Sequence, residues 1–249
     1  MKKISSTLTS PTPTISQVPS PTASPVAPPS STPKQIAFAP HVEKNATLLT
    51  SAMTGETEGW FAYLNNDKIV IYHSENNGNT WTHSSLPINN DWEKAVHGQN
   101  VFASWHPSQE GPSWILLTSD PAAGQMLKTL YKTSDNGKTW TLQSDMSKTI
   151  DGYVTGMTFH NKSDGWIAAS YHSSVLIPLY RTKDGGKSWQ IQTYSIPKGY
   201  KYGNPQAPVF ESIYSDRGTL KIEFFQTTRE KNSPTLLRMV EKSGQRKNK

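Results

Sequence analysis

The sequence contains no cysteine among its 249 residues. Disulfide bonds, thiolate metal sites and a cysteine-linked lipid anchor are therefore excluded for these residues. The sequence also lacks a run of about 18 consecutive apolar residues, which is roughly the length that a membrane-spanning helix needs. It therefore predicts no transmembrane segment.

A complete export signal is also missing. The chain opens with Met1-Lys2-Lys3, which is typical of the start of a signal peptide, but no apolar stretch follows. Two interpretations stay open at this point. Either the signal has been removed or shortened, or the protein does not use that export route.

Acidic and aromatic residues are absent from the start of the chain. Residues 1–33 contain eight prolines and fourteen serines or threonines. Such a segment cannot bury enough apolar surface to offset the entropy lost on ordering, and its prolines make it extended and semi-stiff. We predict that residues 1–34 are a disordered spacer, with a plain tail as the alternative, and that residues 35–249 form the folded domain.

The positive charge is not concentrated on any one segment of the folded part. The net charge is +6, and the basic residues are scattered apart from a short cluster at 246–249. A nucleic-acid-binding protein would show a basic stripe with stacking aromatic residues. The sequence therefore predicts no nucleic-acid partner, although the charge is compatible with a weak attraction to anionic cell-wall polymers or membrane surfaces.

What the chain does contain is one eight-residue pattern in three copies. The pattern is Ser/Thr, any residue, Asp/Asn, any residue, Gly, any residue, Thr/Ser, Trp. We name the copies box 1 (residues 74–81), box 2 (133–140) and box 3 (182–189). The shared positions are Ser74, Asn76, Gly78, Thr80 and Trp81, then Thr133, Asp135, Gly137, Thr139 and Trp140, and finally Thr182, Asp184, Gly186, Ser188 and Trp189.

Each box separates two short strand-like runs, which predicts a β-hairpin. The Asp or Asn side chain can accept hydrogen bonds from backbone N–H groups of the turn. The glycine supplies a positive φ without steric cost, and the tryptophan buries a large ring. These residue types predict a structural role in holding the turn.

The boxes belong to longer repeats. Each unit reads as a strand, a Trp-led strand, a third strand, a box turn and an outer strand, which makes a four-stranded blade. The predicted units are residues 46–96, 97–151, 152–206 and 207–249. The predicted fold is therefore an all-β propeller of about four blades, and the sequence leaves open whether the ring is complete or truncated.

The fourth unit lacks a box tryptophan and ends one strand short. Its predicted strands are residues 209–214, 219–225 and 235–240. The segment 35–45, which includes the strand-like run 35–41, could supply the missing outer strand and close the ring.

The repeated pattern resembles the Asp-box, or BNR repeat, with Asn76 departing from the family's Asp. The pairing of Gly-Trp strands with boxes is similar to the repeats of photosystem II assembly and stability factors and their bacterial relatives. Sialidases and sortilins resemble it more distantly. In such families the box joins the third and fourth strands of a blade. The resemblance implies a non-enzymatic propeller that binds proteins or surfaces.

Sialidases also carry Asp-boxes, so the resemblance raises the question of catalysis. That family needs three substrate-clamping arginines and an Arg-Ile-Pro motif. This chain has five arginines and no Arg-Ile-Pro. Other glycosidases need two opposed carboxylates, and no spacing selects a pair from the loose candidates, which are Asp91, Glu93, Asp120, Glu211, Asp216 and Glu223.

The histidines show no metal-binding spacing. His73 and His83 bracket box 1, and we expect them to face each other across two strands. No phosphate-binding loop or nucleophile elbow occurs. The sequence therefore predicts no catalytic residue, no metal and no cofactor, and it leaves the ligand-binding residues unknown.

Two aromatic loops are candidates for recognition. One is residues 87–99, with Trp92, and the other is residues 198–205, with two tyrosines and two lysines. The alternative is that these rings pack back on the propeller. We predict an exported, cell-surface binding or assembly scaffold whose partner is a protein or a cell-surface polymer. A carbohydrate-binding module and a sialidase-like hydrolase are the alternatives, and the oligomeric state is left open.

Overall fold

The computed structural model describes residues 39–88, 100–120, 126–170, 177–192, 194, 196–210, 217–225 and 235–242. These residues form sixteen β-strands in four antiparallel sheets, and they contain no α-helix. In this part of the chain no helix could therefore cross a membrane. The all-β fold class predicted from the sequence is confirmed.

The first three sheets have the same plan, in which each strand pairs with the next strand along the chain. The first sheet contains Thr47–Met53 (β1), Gly59–Asn65 (β2), Lys68–Ser74 (β3) and Thr82–Ser85 (β4). The second sheet contains Val101–Ser104 (β5), Ser113–Thr118 (β6), Lys128–Thr133 (β7) and Thr141–Asp145 (β8). The third sheet contains Tyr153–Phe159 (β9), Gly165–Ser170 (β10), Leu179–Thr182 (β11) and Gln190–Ile191 (β12).

The fourth sheet differs from this plan. Its strands are Tyr202–Pro205 (β13), Val209–Phe210 (β14), Arg217–Phe225 (β15) and Thr235–Lys242 (β16). Both β13 and β14 pair with the same side of β15, and β16 pairs with its other side. The two short strands are therefore one interrupted first strand, because Gln206 still bonds to Lys221 across the break.

The interrupted strand corrects one expectation. The sequence placed the first strand of the fourth unit at residues 209–214, whereas pairing begins at Tyr202, inside the predicted third unit. Residues 211–216 lie outside the described residues. Of the candidate closing segment, residues 35–38 lie outside them as well, and residues 39–45 form no strand.

Successive sheets pack side by side. Strand β1 contacts β5, β5 contacts β9, and β10 contacts β13. In the first three sheets the first strands thus lie next to one another and are the inner ones, as in a β-propeller, where each sheet is a blade.

Burial follows the position of a strand within its sheet. The second strands β2, β6 and β10 are buried along almost their whole length, whereas the outer strands β4, β8 and β12 are largely exposed. A strand covered on both faces needs a near-continuous apolar run, and the Trp-led sequences of β2, β6 and β10 supply it. The three described cores lie between successive sheets, and Trp60, Trp114 and Trp166 lie in the first, second and third core.

Candidate functional site: the box turns and two adjacent depressions

Box 2 shows how the repeated residues close a turn. The Thr133 hydroxyl donates to Asp135 Oδ1 at 2.8 Å and accepts the backbone N–H of Gly137 at 2.9 Å. Asp135 accepts the backbone N–H of Thr139 at 2.9 Å and its hydroxyl at 2.6 Å. Gly137 has a φ of 77°, in the left-handed region. Every polar position of the pattern therefore takes part in the turn.

Box 3 repeats this network around Asp184. Its carboxylate accepts hydrogen bonds from the Thr182 hydroxyl and from the backbone and hydroxyl of Ser188. Burial alone would raise the pKa of Asp184, but these hydrogen bonds outweigh it and lower the pKa to about 2. The charged carboxylate is thus held by the turn, and an acid in this state is unsuited to donate a proton.

Box 1 differs because an amide replaces the carboxylate. Asn76 Oδ1 accepts the backbone N–H of Thr80 at 2.9 Å, and its Nδ2 donates to the Thr80 hydroxyl at 2.8 Å. The shape of the turn is kept, but the hydrogen bond to the hydroxyl at the seventh box position runs in the opposite direction from that in boxes 2 and 3.

Boxes 2 and 3 dock on the preceding sheet. The Ser84 hydroxyl donates to the carbonyl of Gly137, and the Ser144 hydroxyl donates to that of Gly186. A Cβ placed on Gly137 would lie 2.7 Å from the ring of Trp60. The box glycine is therefore required by its close approach to the neighbouring sheet as well as by its φ.

Aromatic rings meet at each interface between sheets. Trp60 stacks on Trp105 with ring centroids 5.1 Å apart, and Trp105 meets Trp140 of box 2 edge-on. At the next interface the equivalent rings are Trp114, Phe159 and Trp189. Trp140 and Trp189 are 6% and 7% exposed, whereas Trp81 of box 1 is partly buried.

A basic side chain lies beside each second-strand tryptophan. His73 stacks on Trp60 at 3.8 Å, Lys132 lies 5.5 Å from the ring centroid of Trp114, and Arg181 lies 4.7 Å from that of Trp166. Arg181 also forms an ion pair of 2.9 Å with Asp164. Arg181, one of the five arginines, therefore has a local structural partner.

A cluster of Glu58, His73 and Ser108 contains the three residue types of a nucleophilic triad. The Ser108 hydroxyl donates to Glu58 Oε1 at 2.7 Å, whereas its distance to His73 Nε2 is 3.4 Å. The same His73 nitrogen contacts Glu58 at 2.8 Å. A triad needs the serine proton directed at the imidazole and the carboxylate on its other nitrogen. Here the proton goes to the carboxylate, so the cluster joins the first sheet to the loop after β5 and does not activate a nucleophile.

Burial would raise the pKa of Glu58, but its hydrogen bonds with His73 and Ser108 outweigh burial and hold that pKa below its usual value. Sequence analysis missed this cluster because its members are 15 and 50 residues apart along the chain. The only available signal was that Glu58 directly precedes β2, whereas His73 lies near the end of β3, the strand that pairs with β2.

The expected pairing of His73 with His83 is wrong. The register of β3 with β4 places His73 opposite Thr82 and His83 opposite Tyr72. Adjacent positions on a strand point to opposite faces of a sheet, so the two imidazoles lie on different faces. No group of three acidic or histidine residues suited to a metal ion occurs among the described residues.

The loose carboxylate candidates are not brought together where they are described. The side chain of Asp120 accepts a hydrogen bond from Asn100 at 2.9 Å, and Glu223 lies within β15 opposite Asn204. The remaining four, Asp91, Glu93, Glu211 and Asp216, lie outside the described residues.

Of the two aromatic loops, residues 89–99 with Trp92 lie outside the described residues. In the second loop, Tyr200 packs against Phe224 at 5.7 Å, and Tyr202 stacks on Phe225 at 5.0 Å. These two rings pack back on the fourth sheet, as the structural alternative expected.

Two depressions lie beside these features. The first, which we call the inner depression, has a volume of about 480 Å³ and lies where β1, β5 and β9 end. Its lining includes Met53, Trp105, Glu110 and Met157. The second, which we call the box cleft, has a volume of about 300 Å³ and lies between box 1 and box 2.

No protein-family model and no curated protein matches this sequence. Among solved structures, it is similar to an α-L-arabinanase of Penicillium chrysogenum complexed with arabinobiose (15% identity, 78% of this chain and 63% of that chain, TM-score 0.48). It is also similar to a mutant α-L-arabinofuranosidase from Fusarium graminearum in complex with an iminosugar inhibitor (12% identity, 78% of this chain and 62% of that chain, TM-score 0.44). A third similar structure is the NanB sialidase of Streptococcus pneumoniae (14% identity, 76% of this chain and 30% of that chain, TM-score 0.43). The chain spans less than two thirds of each, and the likeness concerns the fold alone.

Proposed function

We propose that this chain is a non-enzymatic β-propeller that binds another protein, and that the inner depression is the contact site. The observation that carries this proposal is the composition of the depression. Met53 ends β1, Trp105 directly follows β5 and Met157 lies within β9. Of the two methionines, Met53 is 37% exposed and Met157 is 7% exposed. Methionine adapts its shape to a partner, and tryptophan is over-represented among residues that dominate binding energy.

A binding role is also supported by the positions and hydrogen bonds of the carboxylates. Among the described lining residues of the inner depression, Glu110 is the one carboxylate. Glycoside hydrolysis needs an acid and a second carboxylate on the opposite side of the substrate. The box carboxylates cannot supply the second group, because Asp135 and Asp184 are bonded within their own turns.

More specifically, we propose that the protein acts in assembly at a cell surface. The support for this role is the resemblance of the Gly-Trp strands and boxes to photosystem II assembly and stability factors, together with the Pro/Ser/Thr-rich residues 1–34. A stiff segment of this kind would hold the propeller away from the surface that carries it. Fractionation of the source cells checks the location, and recovery only from the cytosol would contradict export.

The test of the binding site is site-specific photo-cross-linking. A cross-linking amino acid is placed at Met53, and in a matched control at Leu142, which is an apolar residue 60% exposed on an outer strand. We expect one adduct from an extract of the source cells at position 53 and none at 142. The adduct is identified by mass spectrometry, and the partner is then purified and titrated against the wild-type chain and Met53→Lys.

We expect Met53→Lys to weaken binding of the purified partner at least about tenfold, since a buried contact of about 1.4 kcal/mol is lost. Equal adducts at both positions, or unchanged affinity of the variant, would contradict the proposal. Hydrolysis of a panel of fluorogenic glycosides tests the enzymatic alternative. Turnover that disappears in Glu110→Gln would replace the binding role by a catalytic one.

A further inference from the structure

The box cleft is lined by residues of boxes 1 and 2, and only some of their side chains form hydrogen bonds within the turns. Glu75, Asn76 and Thr80 of box 1 form one wall, and Asn136 and Lys138 of box 2 form the other. The two walls are joined by a hydrogen bond of 3.3 Å from Asn136 Nδ2 to Glu75 Oε1. Glu75, Thr80 and Lys138 are exposed, so their side chains are accessible from solvent.

The amide of Asn76 makes the Thr80 hydroxyl a donor toward the cleft. The backbone N–H of Thr80 can only donate, so the Asn76 atom that it contacts at 2.9 Å must be Oδ1. The other amide atom, Nδ2, therefore donates to Thr80 Oγ1 at 2.8 Å. Because that oxygen already accepts this hydrogen bond, its own proton is available to a ligand.

Boxes 2 and 3 do not offer this donor. The Thr139 hydroxyl donates its proton to Asp135 Oδ2, and the Ser188 hydroxyl donates its proton to Asp184 Oδ2. The change from Asp to Asn at position 76, which the sequence showed only as a departure from the pattern, thus gives box 1 a hydrogen-bonding capacity that the other two boxes lack.

The charges of the cleft select the class of ligand. Glu75 is a strong acceptor and would repel an anion, whereas Lys138 is a strong donor and would repel a cation. Thr80 adds a neutral donor. A ligand that donates and accepts at neighbouring positions without net charge satisfies all three groups, and the adjacent hydroxyls of a sugar have this property. The volume of about 300 Å³ suits one small ligand rather than a chain.

The equivalent positions of boxes 2 and 3 differ from those of the box cleft. There Lys132 occupies the position of His73, and Ser134 stands where box 1 has Glu75. Burial lowers the pKa of Lys132, and the nearby charge of Lys187 lowers it further. These positions therefore carry two lysines, and their carboxylate, Asp135, stands where box 1 has Asn76 and is bonded within its own turn. Box 3 thus supplies a matched control within the same chain.

From these contacts we propose that the box cleft binds a single neutral polyhydroxylated residue, such as the terminal hexose or pentose of a glycan. Glu75 accepts from one hydroxyl, and Lys138 and the Thr80 hydroxyl donate to its neighbours. The cleft and the inner depression are lined by different residues. This proposal therefore goes beyond the proposed protein-binding function, and failure of one does not decide the other.

The test is saturation-transfer difference NMR of the full chain with D-glucose, D-galactose, N-acetyl-D-glucosamine and L-arabinose. We expect at least one of them to bind with a dissociation constant of roughly 1 mM. Lys138→Ala should weaken that binding about tenfold, since a charged hydrogen bond is lost. The matched control is Lys187→Ala, at the same position of box 3, and it should leave the dissociation constant unchanged.

A second variant is chosen to preserve the fold. Asn76→Asp turns box 1 into the form of boxes 2 and 3, so the thermal midpoint should not fall. The Thr80 proton would then be directed to the carboxylate, and sugar affinity should drop about fivefold. Inorganic phosphate and glycine are the competing anionic and zwitterionic probes. Tighter binding of either probe, absence of binding by all four sugars, or unchanged affinity of both variants would overturn the proposal.

Discussion

The polar residues and the tryptophan of a box have different tasks. The Ser/Thr and Asp side chains bond to backbone groups within five residues, so they shape the turn. The tryptophan instead reaches the core between two sheets, where Trp140 packs near Trp60 and Ile115. Changes at the two kinds of position should therefore differ in size and in pH dependence.

Trp140→Ala should lower the free energy of unfolding by about 3 to 5 kcal/mol, because it removes a large side chain from a packed core. The control is Leu142→Ala, two residues further along, where the side chain is 60% exposed and the expected effect is within about 0.5 kcal/mol. Urea unfolding of both variants measures the difference. Similar small effects would show that the box tryptophans do not hold the blades together.

Asp184 should make the stability of the folded chain depend on pH in the acidic range. Its pKa is lowered from 3.8 to about 2 in the folded chain. A group with a depressed folded pKa contributes stability above its unfolded pKa, and this stability is lost as the pH falls through the folded value. Between about pH 4 and pH 2 the thermal midpoint of Asp184→Asn should fall less steeply than that of the wild type. Parallel curves for the two proteins would mean that the turn does not stabilise the carboxylate.

At the level of elements, the second and third blades are each attached to the preceding blade through their boxes as well as through their strands. The carbonyls of Gly137 and Gly186 accept hydroxyl protons from the outer strand of the sheet before. Glu58, His73 and Ser108 join the first and second sheets at a separate point. Hairpin turns are normally surface features, but here they form part of the interface between sheets.

Gly137→Ala tests that attachment. Gly137 and Gly199 both have a positive φ, but an added Cβ would lie 2.7 Å from Trp60 at position 137 and would have no neighbour within 4 Å at position 199. Gly199→Ala should cost about 1 to 2 kcal/mol from backbone strain alone. Gly137→Ala should cost a further 1 to 3 kcal/mol, roughly, from overpacking. Equal losses of the free energy of unfolding, measured in urea, would mean that the Trp60 side chain moves aside without an energetic cost.

At the level of the whole molecule, three inter-sheet cores join four sheets in series. The aromatic residues on the other face of the first sheet bear on how the series ends. Phe61 and Tyr63 are 3% and 8% exposed, although they alternate with Trp60 and Ala62, which face the second sheet. Phe61 contacts Trp81 of box 1 and Tyr63 contacts Tyr72, so the first blade itself covers part of this face.

If the four sheets close into one ring, residues 35–249 form a compact monomer with a radius of gyration of about 17 Å. Small-angle scattering combined with mass determination measures both properties. An elongated or dimeric particle would indicate an open ring, and the binding function would then belong to an assembly or to a longer chain.

The sequence by itself determined the local parts of this protein. The box turns follow from residue types at fixed spacing because their hydrogen bonds join positions within five residues. The second strands follow from Trp-led apolar runs because a strand buried on both faces must be apolar throughout. Pattern alone was therefore enough to predict the boxes, the first three sheets and the fold class.

Only the tertiary structure decided which distant residues meet. The interruption between β13 and β14 coincides with Pro208, which has no N–H for a strand ladder, but the pairing of both pieces with β15 is decided only by the tertiary structure. The Glu58–Ser108 bond and the box cleft depend on how one sheet lies against the next. Strand register also placed His73 and His83 on opposite faces, and a shift of one residue in that register would exchange the two faces of a strand.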